Sequence, residues 1–154
     1  MPILAINKRA NFDYEITDTY EAGMILYGHE VKSVKTGHIS LKGAFVTIKR
    51  SGKKSPEFFL TNSFIPPYQH AGQIDNYNAS RPRQLLIKKK EIKYLIGKTG
   101  EQGLTLVPIK IYTKRSLIKL SFGIGKGKKK YDKREDIKKK DVERHFSVLK
   151  KRRR

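Results

Sequence analysis

Ile118, Leu120, Phe122 and Ile124 alternate without a break with Lys119, Ser121 and Gly123. A period of two makes a strand with one buried face and one wet face. Val107, Ile109 and Ile111 give the preceding run the same pattern, and the short polar link Lys114-Arg115-Ser116 predicts an antiparallel hairpin between the two. Four more strands are expected over residues 12–16, 23–27, 44–50 and 57–62, all rich in aromatic and β-branched side chains. Residues 51–56, SGKKSP, read as the turn joining the last two. Two segments carry a helical period instead. In 29–36, Val31 and Val34 share a face and Gly37 stands ready to end the helix. In 88–99, Ile92, Leu95 and Ile96 fall at helical spacing with Gly100 beyond. The Leu85-Leu86-Ile87 run makes no stripe and reads as a strand. Six or so short strands with two or three short helices predict a mainly β fold, a small closed barrel, because closure removes sheet edges.

Charge divides the chain. Its 154 residues fit one domain, and the net charge of +21 is extreme for that size. Residues 1–125 hold 20 basic and 9 acidic side chains, whereas 126–154 hold 15 and 5. The two parts thus carry +11 and +10, although the second is under a quarter as long as the first. We read 1–125 as the folded body and 126–154 as a basic tail, disordered when free and helical against an anionic partner. Such a charge costs stability by self-repulsion, and a polyanion offsets that cost through counterion release. Nucleic acid is therefore the leading partner class and an anionic membrane surface the second. The chain has no cysteine, which excludes disulfides, thiolate catalysis and zinc ribbons. The start MPILAINKRAN has its basic residues after a short apolar patch, the wrong order for a secretory signal. No stretch reaches the about 18 apolar residues of a membrane span.

Few residues invite catalysis. Residues 123–130, GIGKGKKK, lack the hydroxyl after lysine that a phosphate loop needs for Mg²⁺. They read either as a flexible basic hinge, in which Gly123, Gly125 and Gly127 let backbone approach phosphates that Lys126 and Lys128 neutralise, or as a solvated linker. His29, His38, His70 and His145 have no metal-ligand spacing. Asp13, Glu15, Asp18 and Glu21 form the densest acidic cluster. A metal-dependent nuclease would need them to converge on one ion. The competing reading, surface groups shaping specificity inside a basic footprint, is preferred. No catalytic residue, metal site or cofactor is expected. Tyr131 sits among lysines with nothing apolar to bury it, which suits stacking on a base. Residues 65–82 form a long aperiodic segment, of a length that is often functional.

The chain resembles the small protein B (SmpB) family, bacterial proteins that bind transfer-messenger RNA (tmRNA) in trans-translation. The matching blocks are Asn7-Lys8-Arg9-Ala10, Asp13-Tyr14, Tyr20-Glu21-Ala22-Gly23, Glu30-Val31-Lys32-Ser33, Arg81-Pro82-Arg83 with Leu85-Leu86, Gly103-Leu104-Thr105, and Lys126-Gly127-Lys128-Lys129 with Tyr131-Asp132-Lys133-Arg134, in the same order along most of the chain. The resemblance implies an OB-like six-stranded antiparallel barrel. It implies a non-catalytic, cytoplasmic protein, here expected to be a monomer, that grips the tRNA-like domain of tmRNA and loads it into stalled ribosomes. It places Asn7, Glu21, Leu86 and Lys119 on the RNA-contacting side, and Lys8 and Arg9 are expected beside them. It sends the tail into the 16S rRNA decoding centre and the mRNA channel, with Tyr131 stacking there and Asp132, Lys133 and Arg134 adjoining. Glu21 cannot bind phosphate. It accepts hydrogen bonds from a base edge on one reading and is a structural carboxylate paired with an arginine on the other. An equally charged structural ribosomal protein is the alternative function. The segment 51–56 is longer than the family's usual turn, and the last ten residues match no family pattern.

Overall fold

The computed structural model describes residues 2–50, 52–72, 74–101, 103–128, 134–135 and 137–145. Along the chain run β1 (Ile3–Ile6), α1 (Ala10–Asp13), β2 (Tyr14–Met24), α2 (Gly28–Lys35), β3 (Phe45–Lys49), β4 (Glu57–Thr61), β5 (Arg83–Leu86), α3 (Lys89–Thr99), β6 (Leu104–Lys114) and β7 (Leu117–Gly127). All strands pair antiparallel in one sheet of order β1-β6-β7-β2-β5-β4-β3. The mainly β architecture follows the sequence pattern, with two corrections. There are seven described strands rather than six, and no described ladder joins β1 to β3, so the barrel is not closed. The reason is length. β1 has four residues and covers only Lys110–Tyr112 of β6, while β3 curls round to lie beside β6 without pairing to it.

The β6–β7 hairpin forms where the alternation demands it. Arg115 and Ser116 both take positive φ, 51° and 67°, as a two-residue loop matched to strand twist requires. Its inward residues Leu106, Ile111, Ile118, Leu120, Phe122 and Ile124 join Ala22, Leu60, Leu85 and Leu95 in the core. The separate strands expected over 12–16 and 23–27 are corrected to one. β2 runs unbroken from Tyr14 to Met24, with a bulge between Ile16 and Asp18, and Phe12 belongs to α1. Polar Asp18 and Glu21, both exposed, had masked the strand. α2 and α3 fall within a residue of expectation, and Gly37 at φ 84° ends α2 as anticipated.

The spaced glycines are not a hinge. β7 continues through Gly127, two residues past the expected 125/126 boundary. A Cβ on Gly123 would lie 2.6 Å from Ile16 Cγ2 and 2.7 Å from the Asp18 carbonyl oxygen. One on Gly125 would lie 3.0 Å from Val107 Cγ2 and 3.1 Å from Tyr14 Cβ. These two positions are bare because neighbouring strands crowd them. Gly127 meets nothing within 4 Å. In the tail, residues 137–145 are helical and exposed, and residues 146–154 lie outside the described residues.

A buried ion pair anchors the long 65–82 segment. Glu30 of α2 and Arg83 of β5 are both 0% exposed. Arg83 donates from Nη2 (2.7 Å) and Nε (3.0 Å) to Glu30 Oε2, and from Nη1 to the Ser63 carbonyl (2.8 Å). The Tyr77 hydroxyl donates to Glu30 Oε2 and also lies within bonding distance of the Ile65 carbonyl, 2.9 Å in each case. Arg81 donates to both carboxylate oxygens. Burial alone would raise the Glu30 pKa, but hydrogen bonds from Arg81, the Tyr27 backbone, Arg83 and Tyr77 outweigh it and hold the carboxyl at about 2.

Two outcomes follow from this packing. Gly123→Ala should cost about 1–3 kcal/mol by overpacking, read as a lowered unfolding midpoint in urea, while Gly127→Ala should stay within about 0.5 kcal/mol. The stabilisation carried by Glu30 is complete above its unfolded pKa of 4.5 and is lost as pH falls through about 2. Thermal melts between those limits should therefore fall more steeply with acid in the parent than in Glu30→Gln.

Candidate nucleic-acid interface

The outward face of the sheet follows from strand alternation. In β2, Ala22 is core and Met24 packs against it, so Glu21 and Gly23 face out. Register then lines up Leu86 of β5, Gly23 of β2, Lys119 of β7 and Tyr112 of β6 in one row across four strands. The second row holds Glu21, Ser121 and Lys110. Gly23 has a local purpose here. The Lys119 ammonium lies 3.7 Å from where a glycine Cβ would stand, and Leu86 Cβ lies 3.5 Å from it, so the lysine head reaches over Gly23 towards Leu86. Leu86 itself is 57% exposed.

Glu21 is anchored rather than loose. The Tyr112 hydroxyl donates to Glu21 Oε2, and Lys114 Nζ lies 3.6 Å from Oε1. The Tyr112 hydrogen bond, helped by the charges of Lys114 and Lys119, lowers the Glu21 pKa against the opposing effect of its partial burial. Burial, followed by the Glu21 hydrogen bond and charge, pushes the Tyr112 pKa above its ordinary value. The structural reading of this carboxylate, one of two, named an arginine as partner; the partners in the fold are Tyr112 and Lys114. Neither had been singled out in the sequence, and the hairpin register, once drawn, would have placed both on the outward face. One carboxylate oxygen can still accept from a base while Tyr112 holds the other. A shallow depression of about 450 Å³ lies at this spot, lined by Ile3, Tyr20, Glu21, Lys110 and Tyr112.

The other expected residues gather elsewhere. Asn7 is pinned to β6, donating from its backbone to the Ile109 carbonyl (2.7 Å) and from Nδ2 to the Pro108 carbonyl (2.8 Å). Arg9 forks onto the Asp13 carboxylate at 3.1 and 3.2 Å, which occupies much of its donor set. Lys128 donates from Nζ to the Asn11 carbonyl (2.7 Å) and from its backbone to the Asp13 carbonyl (2.9 Å). Lys126 is exposed opposite Glu15 and Leu104, and Lys8 is exposed on the turn. Lys8, Arg9, Lys126 and Lys128 make a basic corner at the α1 end of the sheet. Asn7 lies between this corner and Lys119: it meets β6 at 108–109, whereas Lys126 meets it at 104 and Lys119 at 112, on the order of 10–17 Å away in each case. A cleft of about 970 Å³ opens beside the corner, lined by Ile6, Lys8, Leu41, Phe45, Val107 and Pro108 among others. Arg134 is exposed and helical, whereas Tyr131, Asp132 and Lys133 lie outside the described residues. Among the described residues no helix is long and apolar enough to cross a membrane.

A family profile described as SmpB protein matches residues 4–152. The chain belongs to the SmpB family. Similar SmpB-type relatives include the SsrA-binding proteins of Thermosipho africanus (strain TCF52B), 48% identical over 155 residues and the whole of both chains, and of Bacillus pumilus (strain SAFR-032), 48% identical over 144 residues, 94% of this chain and 88% of that one. That of Bacillus subtilis (strain 168) is 46% identical over 144 residues, with the same shares covered. A solved SmpB chain from the structure described as "tmRNA-SmpB: a journey to the center of the bacterial ribosome" is similar with a TM-score of 0.62 and 43% identity. The match covers 89% of this chain and 92% of that one. The family therefore spans both the sheet and the basic tail.

The Glu21–Tyr112 contact is open to a direct check. Glu21→Gln removes a negative charge from beside the phenol, so one tyrosine should titrate at lower pH than in the parent, read from tyrosinate absorbance in alkaline titration. An unshifted titration would mean the two groups do not touch in solution.

Proposed function

We propose that this protein binds the tRNA-like domain of tmRNA through the outward face of β2, β5 and β7 and carries it to stalled ribosomes for trans-translation. The observation that supports this best is near-half identity, along almost the entire length, to proteins called SsrA-binding, together with the likeness to a chain solved with tmRNA. The row Leu86–Gly23–Lys119 offers an apolar contact and a cation side by side, and the Glu21 carboxylate, two residues along β2 on the same face, offers an acceptor for a base edge. Phosphates fix the register of such a docking and base edges add selectivity. The basic corner of Lys8, Arg9, Lys126 and Lys128 gives a second set of phosphate contacts. We assign the tail, with Tyr131, Asp132, Lys133 and Arg134, to the 16S rRNA decoding centre and the mRNA channel. The role is non-catalytic, and the protein works as a cytoplasmic monomer without a cofactor.

Equilibrium binding of the full chain to the isolated tRNA-like domain across a salt series tests this reading. Affinity should fall with a log–log slope of about −0.7 to −0.9 per phosphate neutralised, and Lys119→Ala should make the slope shallower by about one such step. Cutting the chain after Lys130 should leave most of the RNA affinity and abolish rescue of ribosomes stalled on truncated message. Loss of RNA affinity on truncation would contradict the assignment of the grip to the sheet.

A further inference from the structure

We propose that Tyr27, backed by Arg81, is a stacking subsite for one unpaired RNA base, at the far end of the strip that carries Glu21, Gly23 and Leu86. The proposal rests on the RNA-binding reading above and deepens it.

The strip does not end with the strands. Ile25 donates its backbone N–H to the Gln84 carbonyl at 3.0 Å, so the pairing of the β2 and β5 segments runs on past Met24. Alternation runs on with it. Leu26 packs against the core, whereas Ile25 is 46% and Tyr27 56% exposed. Outward from the sheet therefore stand Glu21, Gly23, Ile25 and Tyr27, with Leu86 across from Gly23. Single exposed apolar residues are ordinary. Here Ile25, Tyr27 and Leu86 share one face of two paired segments, alongside Lys119.

The Tyr27 ring is held ready. The Arg81 guanidinium carbon stands 3.9 Å from the ring centroid and covers one face. Arg81 is fixed in turn by its hydrogen bonds to both Glu30 oxygens. The Tyr27 backbone N–H donates to Glu30 Oε1 at 2.8 Å. Both members of the stack are thus tied to the same buried carboxylate, and little entropy remains to be lost when a third flat group adds to the pile. Arg81 shares the single Glu30 carboxylate with Arg83, so a net positive charge stands behind the Tyr27 ring, and the guanidinium, tied down by Glu30, serves as a π-surface. Lys119 flanks the strip at Gly23, and Lys88, Lys89 and Lys90, all exposed, follow β5 on the Glu21 side, so a chain of phosphates is drawn to the strip as a whole. An exposed aromatic face at the end of such a cationic strip suits a splayed-out RNA base.

The test is the affinity of full-length Tyr27→Phe and Tyr27→Leu for the isolated tRNA-like domain, each measured across a salt series, with thermal melts to confirm the fold. Leucine keeps an apolar cover on Arg81 but has no ring. We expect Phe to bind as the parent does and Leu to bind about fivefold or more weakly, the lower end of base–aromatic stacking. The salt slope should be the same for all three, because no phosphate contact is lost. Equal affinity for Leu and parent overturns the subsite. So does an equal loss for Phe and Leu, which would implicate the hydroxyl, or a shallower slope for Leu, which would implicate a charge. If the parent itself fails to bind the RNA, the failure belongs to the functional reading and removes the subsite with it.

Discussion

Glu30 and Arg83 form the contact on which the two parts of the sheet depend. The long strands β2, β6 and β7 share extensive ladders, but β2 joins β5 through only two register pairs, Gly23–Leu86 and Met24–Leu85. So short a ladder could not by itself fix the β3–β4–β5 side against the rest. The buried carboxylate adds the missing constraint: it belongs to α2, which directly follows β2, and it takes hydrogen bonds from β5 and from the 65–82 segment. Two charges taken wholly out of water are costly, and the pair is tolerable because its oxygens and N–H groups are almost all engaged. Removing either partner alone would leave an uncompensated buried charge.

The outward strip proposed to face RNA inherits its geometry from that arrangement. Leu86 sits on β5 and Lys119 on β7, and they meet over Gly23 only while β5 stays docked on β2. Crowding around Gly123 and Gly125 does the same work at the other end of the strand, pressing β7 close to β2 and β6. The surface can be polar and highly basic because these two dry contacts, one ionic and one steric, carry the shape beneath it. Self-repulsion among so many cations is then relieved by the RNA rather than by the fold.

Strand alternation made the β6–β7 hairpin legible down to its two-residue loop, and Gly37 marked the end of α2. Glycine was read less well. Spaced glycines beside lysines look like a joint in one dimension, and only the neighbouring strands reveal that Gly123 and Gly125 are bare because Ile16, Asp18, Val107 and Tyr14 fill their space. β1 was missed because four residues next to the chain start carry too little pattern. The Glu30 network was missed because its members lie up to 53 positions apart, and no periodicity links them. Resemblance placed Glu21, Leu86 and Lys119 on one surface, and register brings them together, while Asn7 stands between them and the basic corner of Lys8, Arg9, Lys126 and Lys128.

The central claim is that one outward strip of β2, β5 and β7 grips the RNA. Hydroxyl-radical footprinting of the full chain, with and without the tRNA-like domain, reads side-chain cover directly. Protection should concentrate on Ile25, Tyr27 and Leu86, while Phe64, also exposed in the protein alone, keeps its reactivity. Protection of Phe64 with unchanged labelling at Ile25 and Leu86 would contradict the account.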